Sequence, residues 1–242
     1  MQPLPTHKRR SALMPQTTRG SVFMNVLAAI SVGCAVAVTW RLFFPVSPPP
    51  PPPEVPVLLE DWERFGTAGH RMGSATPRVT LVEFSDFECP VCRSFTLGAL
   101  SGALKAFRND LAVVFRHWPL AYHRFAYPAA RASECAASQG AFEAMHYALF
   151  ERQDSLGLKP FRQYAADAAV PDLDAFDACV SRPGPVAAID TDSAMARVAE
   201  GGGTPTILLN GWRLPGAPDS ARLHRYITVL LAGGALDTLT MR

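Results

Sequence analysis

Apolar residues recur along this chain in two registers. VTLVEF (79–84) and LAVVFRHW (111–118) are short runs rich in β-branched and aromatic residues, and they read as buried strands. Between them, Phe95, Leu100, Leu104 and Phe107 fall at helical spacing behind Pro90, a residue suited to the first position of a helix. Strand, loop, helix and strand make a βαβ unit. From about Tyr127 the chain turns alanine-rich, and helices are predicted over 129–138, 141–152, 161–169, 173–180 and 186–199. Gly201, Gly202 and Gly203 close that block. A third strand follows at Thr206–Leu209, then a tight turn at Asn210-Gly211, a returning strand in WRLPG and a closing helix over 219–232. Residues 57–76, interrupted by Gly66, Gly69 and Gly73, read as an approach segment. The order βαβ, helical block, ββα predicts an α/β domain.

The N-terminal pattern is different. Residues 22–40 carry no charge, and as a helix they would run about 28 Å, close to the thickness of a bilayer's apolar core. Lys8, Arg9, Arg10 and Arg19 precede this run, and residues 1–44 hold no acid. The expectation is a cytoplasmic basic N-terminus (1–21), a transmembrane anchor (22–44) and an exported remainder. A cleaved signal peptide is the alternative, with Ala35-Val36-Ala37 as its small-x-small site. Residues 45–56 include a six-proline run, which adopts extended polyproline II and reads as a stiff linker to a domain at 57–242.

Composition narrows the function classes. The net charge is +2, but it is concentrated at the N-terminus. The other 198 residues hold 18 basic and 21 acidic side chains, which argues against nucleic-acid binding.

The chemistry-bearing feature is FSDFECPVCRSF (84–95). Cys89 at a helix cap and Cys92 in its first turn lie within reach of one another. Unpaired N–H groups and the partial positive charge of a helix N-terminus favour thiolate there. Cys89 is expected to be the exposed, low-pKa member, and Cys92 to be shielded and to act second. A zinc site would need a second closely spaced ligand pair; Cys135 and Cys179 are isolated and no histidines have ligand spacing, so no metal is expected. His117, His123 and His146 read as hydrogen-bonded structural residues, and Glu88 as a solvated loop charge.

DFECPVC after a strand, together with FRHWPL (115–120), QGAFEAMHYALF (139–150) and a later GTPT, resembles the DsbA-like thiol–disulfide oxidoreductases of the thioredoxin superfamily. The likeness covers roughly residues 75–232. It implies a thioredoxin fold with an inserted helical subdomain at about 127–200. Cys89 would be the nucleophile and Cys92 the resolving thiol. The resemblance also implies a cis peptide before Pro205, with Thr204 and Pro205 gripping the substrate beside the motif. Implied partners are cysteine-containing exported proteins and a membrane redox partner, with no cofactor. The motif dipeptide here is Pro90-Val91, where the best-known oxidases carry Pro-His. Disulfide formation is the expected direction; isomerase or reductase work and a redox-inactive peptide-binding module are the alternatives. Cys135 and Cys179 are expected to pair, as thiols of an exported domain do and as relatives with a second disulfide suggest. Closing that loop is worth about 4 kcal/mol in the chain-entropy model.

Overall fold

The computed structural model describes residues 19–43 and 55–237. Residues 1–18 of the predicted basic N-terminus and residues 45–54 of the predicted proline linker lie outside them. Helix α1 (Arg19–Phe43) covers the uncharged run. The expectation that it crosses a membrane is corrected: among the described residues, no helix is long and apolar enough to do so.

Residues 55–237 hold a six-stranded mixed sheet in the order β1-β6-β5-β3-β4-β2. The strands are β1 (Val57–Leu58), β2 (His70–Gly73), β3 (Val79–Ser85), β4 (Leu111–His117), β5 (Thr206–Leu209) and β6 (Trp212–Arg213). β3 and β4 run parallel, and the other pairings are antiparallel. Between β3 and β4 lie α2 (Pro90–Phe95), a π turn (Thr96–Leu100) and α3 (Ser101–Ala106), where the sequence predicts one unbroken helix. The wider turn lets Phe95, Ala99, Leu100 and Ala103 all be buried.

Strand periodicity sorts the core into two layers. Val79 and Leu81 of β3 join Leu111, Val113 and Phe115 of β4 against Phe95, Leu100, Leu223 and Ile227. Val82, Phe84 and Val114 face the other way, onto Phe65, Ala196 and Leu208. The second face also holds the buried Arg116, which pairs with Asp192 at 2.7 Å and donates to the Phe65 carbonyl at 3.0 Å.

Helices α4 (Ala126–Ala137), α5 (Phe142–Glu151), α6 (Phe161–Asp167), α7 (Leu173–Val180) and α8 (Ala187–Val198) form the block between β4 and β5. Met145, Leu149, Tyr164 and Phe176 carry the first core layer into it. Cys135 of α4 and Cys179 of α7 are bonded, with Cα atoms 5.8 Å apart. Asp219 caps the closing helix α9 (Ser220–Leu231) by accepting from the Arg222 N–H.

The approach segment contains β2, which the sequence pattern does not reveal. β2 adds to the free edge of β4, with His70 opposite Phe115 and Gly73 opposite Ala112. Gly69, at φ 95°, makes this pairing possible: a Cβ there would lie 2.5 Å from the Phe115 carbonyl oxygen.

Candidate active site

The site begins where β3 ends. The residue before a proline is driven to extended backbone, and Cys89 has φ −75° and ψ 120°. It therefore caps α2 while Pro90 takes the first helical position, and its carbonyl accepts from the Arg93 N–H at 3.1 Å. The loop before it is held from several sides. Asp86 accepts from the Glu88 N–H at 2.7 Å, from the Leu120 N–H at 2.8 Å and bonds the His123 ring at 2.8 Å. The Gln153 amide donates to the carbonyls of Phe87 and Cys89 at 2.8 and 3.0 Å. Glu88, expected to be solvated, instead accepts from the Phe125 N–H. Its carboxylate ties the motif loop to the start of α4.

Cys89 and Cys92 are both reduced, and Cys89 keeps 5% of its surface exposed while Cys92 keeps none. Cys89 is thus less exposed than its cap position suggests, because the loop between α8 and β5 covers it. That loop carries the cis Thr204-Pro205 bond. The Cys89 thiol donates to the Thr204 carbonyl at 3.3 Å. The motif and the Thr204-Pro205 loop are therefore brought together, whereas Cys135 and Cys179 lie apart from them in the helical block.

The electrostatics separate the two sulfurs. A hydrogen bond from the Cys92 thiol, opposed by burial and helped by Thr204 and the N–H groups of Cys92 and Val91, lowers the Cys89 pKa to about 5. The buried Thr204 hydroxyl has no partner while Cys89 is a thiol, so it is free to serve the thiolate. Cys92 is pushed in the opposite direction, first by burial and then by its bond to Cys89. Val91 contributes only its backbone, so the low pKa needs no histidine in the dipeptide.

Glu83 is the residue the sequence reading misses. It is fully buried, and neither carboxylate oxygen has a hydrogen-bond partner. Burial raises its pKa to about 7, offset in part by Ser85 and reinforced by the Cys89 charge. The signal was available: period two in VTLVEF aligns Glu83 with the inward-facing Val79 and Leu81, a place where an acid is costly.

These shifts set opposite pH dependences. The folded pKa of Glu83 exceeds its unfolded value of 4.5. Folded protein then holds the extra proton, so stability falls as pH rises from about 4.5 to 7, on the order of 3 kcal/mol. In the oxidised chain, where Cys89 cannot titrate, urea unfolding at pH 5 and pH 8 is expected to show this fall, and Glu83→Gln to flatten it. In the reduced chain Cys89 acts the other way. Its contribution is full above the unfolded pKa of 9.0 and is lost as pH falls through about 5.

Among the predicted structural histidines, His117 bonds Glu134 at 2.8 Å and His123 bonds Asp86. His146 differs from expectation: it is buried with neither ring nitrogen partnered, packed among Phe87, Phe115 and Phe150. Burial lowers its pKa to about 3, with the nearby His117 and His70 adding to the fall, which keeps the ring neutral.

Comparisons with known proteins agree with this architecture. A thioredoxin-like oxidoreductase from Silicibacter pomeroyi has a TM-score of 0.60 at 25% identity, covering 73% of this chain and all of that one. Oxidised BdbD from Bacillus subtilis scores 0.61 at 22% identity, covering 67% and 92%. α-DsbA1 from Wolbachia pipientis scores 0.58 at 21% identity, covering 67% and 90%. The last two share the fold. The chain is also 38% identical over 208 residues to the Na(+)/H(+) antiporter NhaA 1 of Mycolicibacterium gilvum, covering 84% of this chain and 32% of that protein. It thus spans between 22% and 32% of the length of the curated relatives it matches. The profile of the family described as thioredoxin matches residues 67–228, more than half of the chain, and the chain belongs to that family.

Proposed function

We propose that the chain is a thiol–disulfide oxidoreductase that introduces disulfides into cysteine-containing exported proteins through Cys89 and Cys92. One observation carries this reading: the low-pKa Cys89 thiol lies over the buried Cys92 and 3.3 Å from the carbonyl of Thr204, beside cis-Pro205.

In the oxidised enzyme a substrate thiolate attacks Cys89, forming a mixed disulfide and expelling the Cys92 thiolate. Cys92 is a poor thiolate in this buried place and takes up a proton; Glu83, with a pKa of about 7, is the nearby buried acid. A second substrate thiolate attacks the substrate sulfur of the mixed disulfide. Cys89 leaves as a thiolate, which its low pKa makes a good leaving group. The substrate has lost two electrons to the Cys89–Cys92 pair. A disulfide- or quinone-linked oxidant must then remove them from the enzyme. The backbone of the cis Thr204-Pro205 loop is the surface against which a substrate strand would pair.

Thiolate stability supports the oxidising direction. Holding Cys89 as an anion stabilises the reduced pair and so raises its reduction potential. An extracytoplasmic location is consistent with the Cys135–Cys179 bond, since such bonds persist in oxidising compartments. The antiport named for the curated relatives is not assigned to this chain. Equilibration with glutathione tests the direction. A potential above thioredoxin's, about −270 mV, is expected, with catalysed oxidation of a reduced dithiol peptide. A potential at or below that value would make the pair a reductant.

A further inference from the structure

His70, His117 and Glu134 are separated by long stretches of sequence, so no spacing motif reveals them. The fold brings them together on the first face of the sheet. His70 opens β2 opposite Phe115, and His117 lies two residues beyond Phe115 on β4, so both rings point to the same side. Glu134 reaches in from α4. The Nε2 atoms of His70 and His117 both meet the same oxygen, Oε1 of Glu134, at 2.5 and 2.8 Å. All three atoms lie within 4.8 Å of one another. We propose that these three side chains form a zinc-class divalent cation site joining the β2–β4 edge of the sheet to the helical block.

The donor set and geometry fit. Two imidazole nitrogens and one carboxylate oxygen are a recurrent protein ligand set for zinc, with bonds of about 2.0–2.2 Å and a fourth, open position. Donors at that distance from a shared ion in a tetrahedral arrangement stand about 3.4 Å apart. The two imidazole–carboxylate contacts would each open by about an ångström or less. His70 and Glu134 keep 21% and 19% of their side chains exposed, which gives an ion an entry path and leaves room for water as fourth ligand. His117 is held at 1% exposure and brings the rigid end of the set. Phe142 stacks on the His70 ring at 3.6 Å between centroids and fixes its plane.

On binding, each ring would carry its hydrogen on Nδ1 while the Nε2 lone pair turns to the ion. On His117 the buried Nδ1 has no hydrogen-bond partner, and the ring meets that of Phe115 at a steep angle with centroids 5.2 Å apart. The contact with Glu134 leaves the other ring nitrogen unpartnered at this buried position, so the site as it stands is not a fully satisfied hydrogen-bond network.

The test uses the untagged full chain with Cys34→Ser and with Cys89 and Cys92 oxidised, so that no thiol can bind metal. Zinc titration by calorimetry is expected to show one ion per chain, and a melting temperature that rises with zinc concentration. Cobalt in place of zinc is expected to give the visible bands of a tetrahedral nitrogen–oxygen site without thiolate charge transfer. His70→Ala and Glu134→Gln are each expected to weaken binding by about tenfold or more, since loss of even an outer partner has that effect. If Glu134→Gln fails to fold, the part-exposed His70→Ala carries the comparison. No uptake by the oxidised chain, or binding left unchanged in either folded variant, would overturn the assignment.

Discussion

Replacing Cys89 with serine is expected to abolish catalysed disulfide exchange, with a loss on the order of a thousandfold or more, as when other enzymes lose their nucleophile. Every step proposed above passes through Cys89 Sγ. It is the sulfur that remains partly exposed, the one with the low pKa, and the one beside Thr204. Serine keeps the volume and the hydrogen bond to the Thr204 carbonyl but cannot form a mixed disulfide. Cys92→Ser is expected to behave differently. It leaves the nucleophile and removes the resolving thiol, so with a disulfide-bonded substrate, whose bond the Cys89 thiolate opens, a mixed disulfide should accumulate and be visible on non-reducing gels. A module that only binds peptides would keep its function in both variants, which separates the two readings in one assay.

Asp192→Ala is expected to cost about 3–5 kcal/mol of folding stability, the range for breaking a buried ion pair by removing one partner. Asp192 accepts from the Arg116 side chain and from the backbone N–H of His117, with all three groups buried. Alanine would leave the guanidinium uncompensated between the sheet and α8. For a domain of this size the melting temperature should fall by roughly 10 °C. Replacing both partners with apolar residues of similar volume should lose far less, because no stranded charge remains. The pair lies on the face of the sheet opposite Cys92, so the Cys89 pKa is not expected to move. Thermal unfolding together with a thiol titration on the same variant checks both statements.

Most of the elements around the motif were legible because their local signals agree with their tertiary roles. The apolar run at 79–84, Pro90 as the first helical residue, and the Asn210-Gly211 turn each have one dominant physical meaning. In the structure they form β3, the start of α2, and the tight connection from β5 to β6. β2 was not legible. HRMG has neither alternation nor β-branched residues, and it becomes a strand only because β4 offers a free edge. The membrane span was expected from nineteen uncharged residues behind a basic flank, yet among the described residues no helix is long and apolar enough to cross a membrane.

At the site, the cysteine pair was carried by spacing, whereas its tuning is tertiary. Thr204 reaches Cys89 across 115 positions. Glu83 acts on Cys92 because strand alternation turns it toward α2. Glu88 and His146 were misjudged for a related reason. Whether a polar side chain is solvated, satisfied or stranded depends on what packs over it, and that information lies elsewhere in the chain.

The central claim is that the fold holds Cys89 as an anion at neutral pH. Thiolate absorbance of the reduced Cys34→Ser chain, with the oxidised chain as blank, measures this directly across pH 3–10. The account predicts a first thiolate appearing with a midpoint at about pH 5, while Cys92, pushed upward by burial, ionises only at higher pH than a free thiol. A first midpoint near 9.0, the value of an unperturbed thiol, would contradict it.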